Sequence, residues 1–165
     1  SWDYARQAVV IPATWEGETV GLIYRHVPPV PDGYPKYEYT PHLPKSRMLF
    51  GWDRVDWGAD APLILVEGPL DAMWAHQCGL TTATAILGMS MSKAQTQIVN
   101  ARTLRVVLCF DQDAAGEDAT KRAVKMLGGR ATVATLPKKD PAECDCEELV
   151  KAVRAARSTW AAKIS

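Results

Sequence analysis

Leu63-Ile64-Leu65-Val66-Glu67-Gly68-Pro69-Leu70-Asp71 decides the fold of this chain. Four apolar residues in an unbroken run form a strand buried on both faces, as strands of parallel sheets are. Pro69 suits the first turn of a helix, where its missing N–H costs nothing, and the pattern predicts a helix from Pro69 to about Gly79. Strand and helix meet at Glu67-Gly68, so a carboxylate stands at the carboxyl end of the strand.

Working outward, the same alternation repeats. Thr81 to Leu87 reads as a second strand, and Ser92-Lys93-Ala94-Gln95 is a capping-box pattern that opens the next helix. Arg105 to Phe110 is a third buried strand, followed by Asp111-Gln112-Asp113. A helix from about Ala114 to Leu127 carries Glu117 with Lys121 and Asp118 with Arg122 at i,i+4 spacing. Gly128-Gly129 ends it, and Arg130 to Leu136 is a fourth strand. The last helix, near Cys146 to Lys163, has an apolar stripe of Leu149, Val153, Ala156, Trp160 and Ile164. The expectation is an α/β domain, a mainly parallel sheet with helices on both faces.

Upstream of residue 58 the character differs. Residues 8 to 12 and 19 to 25 read as strands joined by a turn at Trp15-Glu16-Gly17-Glu18, and the prolines at 28, 29 and 31 make His26 to Asp32 a loop. The expected organisation is a small β-rich basic subdomain (1–57), the α/β domain (58–140) and a C-terminal helical extension (141–165).

With 165 residues, the chain suffices for one domain plus a satellite lobe, and 47% hydrophobic with 23% charged residues is globular composition. The 19 basic residues balance 19 acidic ones, so nucleic-acid contact must come from a local patch. Apolar runs of about six residues are far short of the roughly 20 that cross a bilayer, and no membrane role is expected. No basic-then-apolar leader opens the chain, and its first residue is Ser, as in a trimmed fragment. Cys78, Cys109, Cys144 and Cys146 lack the paired spacing of a zinc site; they read as reduced thiols of a cytoplasmic protein.

The chemistry lies at the acidic strand ends. In open α/β sheets, ligands collect where strand carboxyl ends meet helix N-termini. Glu67, Asp111 and Asp113 are placed there, and three carboxylates repel one another unless a hard cation intervenes. Mg²⁺ takes oxygen ligands and bridges to substrate phosphates, which points to a divalent-metal site for phosphoryl chemistry. Asp113 also has the position of a helix cap, and Asp71 that of a first-turn acid favoured by the helix dipole.

LILVEGPLD (63–71) followed by CFDQDAAG (109–116) resembles the Toprim domain of topoisomerases, primases and related nucleases, and most of all that of bacterial DnaG-type primases. Asp71 matches an aspartate of their EGxxD motif, and Ala85-Ile86-Leu87-Gly88-Met89-Ser90 is similar to their apolar strand and Leu-Gly-Thr-Ser turn. Ala115-Gly116 and Leu136-Pro137 with Asp140-Pro141 match elements further on. Gly21 with Arg25, Pro35-Lys36-Tyr37 and Lys45 to Gly51 resemble the primase basic subdomain, so the likeness runs from Arg6 to about Asp145. Gln112 replaces the family's central Gly and Met89 its Thr. No Cys/His zinc module or helicase motor is recognised.

The resemblance implies template-directed synthesis of short RNA primers on single-stranded DNA from ribonucleoside triphosphates, at the replication fork in the cytoplasm. It implies Glu67, Asp111 and Asp113 as catalytic Mg²⁺ (or Mn²⁺) ligands, with Asp71 and Asp140 near the metals; Asp140 is equally an ordinary helix start. Arg25, Lys36, Tyr37 and Lys45 would bind template or nucleotide. A replicative helicase and a separate zinc-binding module are implied partners, and the chain would be a fragment or a compact phage or plasmid form. The alternatives are a Toprim nuclease, using the same acids to activate water, and a non-catalytic module binding single-stranded DNA or a helicase.

Overall fold

The computed structural model describes residues 1–30 and 33–161, with side chains through residue 156. They form two compact units, Ser1–Pro44 and Lys45–Ser165.

In the first unit four strands form an antiparallel sheet in chain order: β1 (Trp2–Asp3), β2 (Ala8–Trp15), β3 (Glu18–His26) and β4 (Tyr37–Tyr39). The β2–β3 hairpin turns where the sequence predicts, with Glu16 at φ 53° and Gly17 at φ 83°, the left-handed pair that matches strand twist. Ile11 faces Ile23 across it, and both are buried with Ala8, Ala13 and Leu43. Gly21 is required by contact: a Cβ there would lie 2.6 Å from Thr40 Oγ1 and 2.8 Å from Leu43 Cδ1. Of the proline loop, Pro31 and Asp32 lie outside the described residues.

The second unit holds the expected parallel sheet. Its strands are β5 (Leu63–Val66), β6 (Ala83–Ala85), β7 (Val106–Leu108) and β8 (Ala131–Val133), ordered β6-β5-β7-β8. All four residues of β5 are buried, as an interior strand demands. The helices are α1 (Pro69–Gln77), α2 (Lys93–Arg102), α3 (Ala114–Leu127) and α4 (Cys146–Ala161). Helix α2 starts with the capping box foreseen: Ser92 Oγ accepts from Gln95 N at 3.0 Å and Gln95 Oε1 from Ser92 N at 2.9 Å. On α3, Lys121 pairs with Asp118 at 3.5 Å, while Arg122 donates to the Met89 carbonyl at 3.3 Å. Leu149, Val153 and Ala156 of α4 are buried; Trp160 and Ile164 of the expected stripe lie outside the described side chains.

Residues 45–57, grouped by composition with the upstream part, pack in the second unit. Phe50 bridges Ala85 with bonds of 2.8 and 3.0 Å. The buried Gln95 amide donates to the carbonyls of Lys45, Met48 and Ile86 at 2.8–2.9 Å, so one side chain caps α2 and ties the segment to the sheet. Its two N–H groups, shared among these three carbonyls, are satisfied in an interior where their burial would otherwise be costly.

The reduced-thiol reading is corrected for two cysteines. Cys78, at the end of α1, is disulfide-bonded to Cys146, the first residue of α4, across 68 residues. Such a separation carries no spacing signal; α1 packs against the 3₁₀ turn Pro141–Glu143 just before α4, and Trp74 Nε1 donates to the Cys144 carbonyl at 2.9 Å, which brings the two sulfurs within reach. Cys109 and Cys144 are buried free thiols, which burial pushes up, away from the reactive thiolate. Among the described residues no helix is long and apolar enough to cross a membrane.

Candidate active site

The strand order sets the position of the site. The chain leaves β5 to one side for β6, then returns to the other side for β7. The crevice at such a reversal lies beyond the carboxyl ends of the two diverging strands, here β5 and β7. Glu67 follows the last residue of β5, and Asp111 follows β7 by three residues.

Both acids are held by backbone bonds. Leu87 N donates to the Glu67 carbonyl at 3.1 Å, and Cys109 N to the Leu65 carbonyl at 2.8 Å, extending the ladder toward Asp111. Asp111 N donates to Glu67 Oε1 at 3.2 Å, linking the two strand ends directly. Gly116, on the first turn of α3, lies against this link. A Cβ there would overlap the Asp111 carbonyl and stand 3.0 Å from Glu67 Oε1, so only glycine lets the helix approach both acids.

Asp113 caps α3, its Oδ1 accepting from Gly116 N at 3.0 Å, while its Oδ2 lies 3.6 Å from Lys139 Nζ. Asp71 Oδ2 accepts from Gly68 N at 3.0 Å, which fixes the strand-to-helix turn beside Glu67. Asp140 is buried and caps the 3₁₀ turn Pro141–Glu143, accepting from Glu143 N at 2.9 Å. The cap roles left open for Asp113 and Asp140 are therefore both realised, as is a first-turn role for Asp71. Gln112 lies outside the left-handed region, so a side chain costs nothing there. Its amide donates to the Phe110 carbonyl at 3.0 Å, bracing the turn.

Electrostatics couple the acids. Burial, then the neighbouring Asp111 charge, push the Glu67 carboxyl up to about 7, with Asp113 and Asp71 adding to the rise. The Gly116 N–H, helped by the Lys139 ammonium, holds Asp113 below the usual carboxylate range. An all-oxygen donor set under like-charge repulsion fits a hard divalent cation. With the side chains as they stand, no three of the described His, Cys, Asp or Glu residues are grouped closely enough to hold one ion.

The basic set divides between the units. Arg25 Nη1, on β3, donates to the Lys36 carbonyl at 3.3 Å, and its guanidinium lies 5.1 Å from the centre of the Tyr37 ring on β4. Arg25, Lys36 and Tyr37 thus share one corner of the antiparallel sheet, Tyr37 opposite Arg25 in register. Lys45 opens the 3₁₀ turn Lys45–Arg47 of the second unit, its carbonyl bound by Gln95. Sequence reasoning missed Lys139, whose only signal was its place before Asp140-Pro141.

A family model described as Toprim-like matches residues 64–145. The DNA primase of Deinococcus radiodurans is 36% identical over 122 residues, covering 68% of this chain and 21% of that protein. The zinc-binding and RNA polymerase domains of Aquifex aeolicus primase superpose with a TM-score of 0.79 at 28% identity, over 91% of this chain and 40% of that one. A DnaG primase catalytic domain bound to single-stranded DNA gives a TM-score of 0.74 at 26% identity, over 93% of this chain and 51% of that one. The chain spans about a fifth of the curated relative's length. Strand order, acidic motifs and likeness along nearly all of its length agree: the chain belongs to the Toprim-containing catalytic domain of the DnaG-type DNA primase family.

Proposed function

We propose that this domain synthesises short RNA primers on single-stranded DNA, joining ribonucleotides by metal-dependent nucleotidyl transfer. The observation that carries the reading is the Glu67–Asp111 link at the reversal of strand order, in a chain of this family. Glu67, Asp111 and Asp113 would hold Mg²⁺ or Mn²⁺, with Asp71 and Asp140 as further acids near it. The ion would supply what carboxylates cannot: acidification of the primer 3′ hydroxyl and neutralisation of the departing pyrophosphate. A main-chain bond from Leu87 holds Glu67, and the Glu67 carboxylate accepts the Asp111 N–H, so the two strand ends are positioned before substrate arrives. Asp113 keeps one oxygen in its cap and offers the other once Lys139 swings away.

Arg25, Lys36 and Lys45 would bind template or nucleotide phosphates, where each neutralised phosphate adds to the salt dependence of binding. Tyr37, already under the Arg25 guanidinium, presents a ring for base stacking. The relative bound to single-stranded DNA supports a DNA template. Zinc-binding domains in the Aquifex relative support template selection by a separate module. A replicative helicase as a further partner, and a cytoplasmic setting at the replication fork, complete the proposal.

The test is incubation with single-stranded templates, labelled ribonucleotides and Mg²⁺ or Mn²⁺. Short RNA from the wild type, and none from Asp111→Ala/Asp113→Ala, is the expected result. Template degradation by the wild type would replace the proposal with a nuclease using the same acids, and DNA binding with neither product would leave only a binding module.

A further inference from the structure

We propose that Lys139 is a phosphate-binding residue that engages the triphosphate of the incoming nucleotide, and that its contact with Asp113 is its resting position. The inference rests on the function proposed above and adds a residue that the acidic and basic motifs do not contain. Its ground is the way the segment Pro137–Asp140 lies on the acidic turn. The Lys139 carbonyl accepts the Gln112 N–H at 2.6 Å, which places the root of this side chain beside the residue between the two aspartates. The following residue, Asp140, is buried and capped into the next turn through Glu143 N at 2.9 Å. The backbone of Lys139 is thus fixed from both sides.

Its head is not. The side chain is 59% exposed, and Nζ stands 3.6 Å from Asp113 Oδ2, beyond a good charge-assisted hydrogen bond. An exposed pair of this kind is weak, so the ammonium exchanges partners readily. Such a cation, rooted rigidly and tethered loosely among carboxylates, contributes little to folding. Anchored beside acids that would bind a cation–triphosphate, it has the reach and the compact charge that suit a phosphate oxygen. A cation bound by Asp113 repels the ammonium, and a triphosphate arriving with that cation receives it. Release from Asp113 and capture of the nucleotide are then one exchange of ion pairs.

The experiment measures equilibrium binding of a fluorescent ATP analogue in Mg²⁺ without template, so no turnover contributes. Wild type is compared with Lys139→Ala, Lys139→Arg and Lys138→Ala, and thermal unfolding checks the fold of each. Lys139→Ala is expected to weaken binding on the order of tenfold. Lys139→Arg should keep most of the affinity and Lys138→Ala nearly all, with melting temperatures unchanged. Adenosine, lacking phosphates, should compete equally poorly against every variant. Equal affinity in wild type and Lys139→Ala, or equal losses at Lys138 and Lys139, overturns the inference while leaving the proposed function standing. A wild type that binds no ATP analogue overturns both.

Discussion

Gly116→Ala is expected to destabilise the domain by about 3 kcal/mol or more, lowering its melting temperature by roughly 6–12 °C. The added Cβ meets the Asp111 carbonyl, a backbone atom, and then Glu67 Oε1 at 3.0 Å. The nearer neighbour is backbone and cannot yield as a side-chain end would, so relief requires the first turn of α3 to move outward. That movement stretches the Gly116 N–H bond to Asp113 Oδ1, 3.0 Å in the native domain, and weakens the cap. Gly129→Ala is the control, since a Cβ there meets nothing within 4 Å. Differential scanning calorimetry of the two variants reads the contrast, and equal melting temperatures would show that α3 does not sit against the acids as described.

The second large effect is an inversion at Glu67. Its carboxyl titrates near 7 in the folded domain against an ordinary 4.5, so the folded state binds this proton more tightly than the unfolded chain. The resulting stabilisation is complete below about pH 4.5 and is lost as the pH rises through about 7. Without divalent cations, Glu67→Gln should therefore be the more stable protein at pH 8, by on the order of 1 kcal/mol once solvent screening of this half-exposed group is counted. The amide oxygen can still accept the Asp111 N–H, so the change isolates charge. Adding Mg²⁺ at pH 8 should reverse the order, stabilising wild type and leaving Glu67→Gln little changed. Urea unfolding of both proteins at pH 5 and 8, with and without Mg²⁺, makes the comparison; a wild type stabler than the variant at pH 8 in chelator would contradict the coupling among these acids.

What the sequence disclosed follows local physics. The bounds of α3 are legible to the residue because Asp113 caps one end and Gly128, at φ 61°, stops the other. For α1 only the start is legible to the residue, marked by Pro69; the helix ends at Gln77, before the Gly79 expected. Strand lengths were less legible: 81–87 and 130–136 shrink to Ala83–Ala85 and Ala131–Val133, because a ladder extends only as far as its neighbour, and apolar residues beyond it can be buried without pairing. Glu67, Asp111 and Asp113 stood out because strand ends are where a sheet presents charge. Three features depended on distance through space. The Cys78–Cys146 bond, the second role of Gln95 and the approach of Lys139 to Asp113 each join residues 26 to 68 positions apart, except for the nearby Ile86 carbonyl that Gln95 also binds.

The claim on which the rest depends is that the acids beyond β5 and β7 take up a divalent cation. Anomalous diffraction from crystals grown with Mn²⁺ tests it without reference to activity. The account predicts a peak about 2.1 Å from oxygens of Glu67 and Asp111, with Asp113 turned toward it and Lys139 displaced. Manganese bound only elsewhere on the protein, with the Asp111 N–H still on the Glu67 carboxylate and no ion beside it, would contradict it.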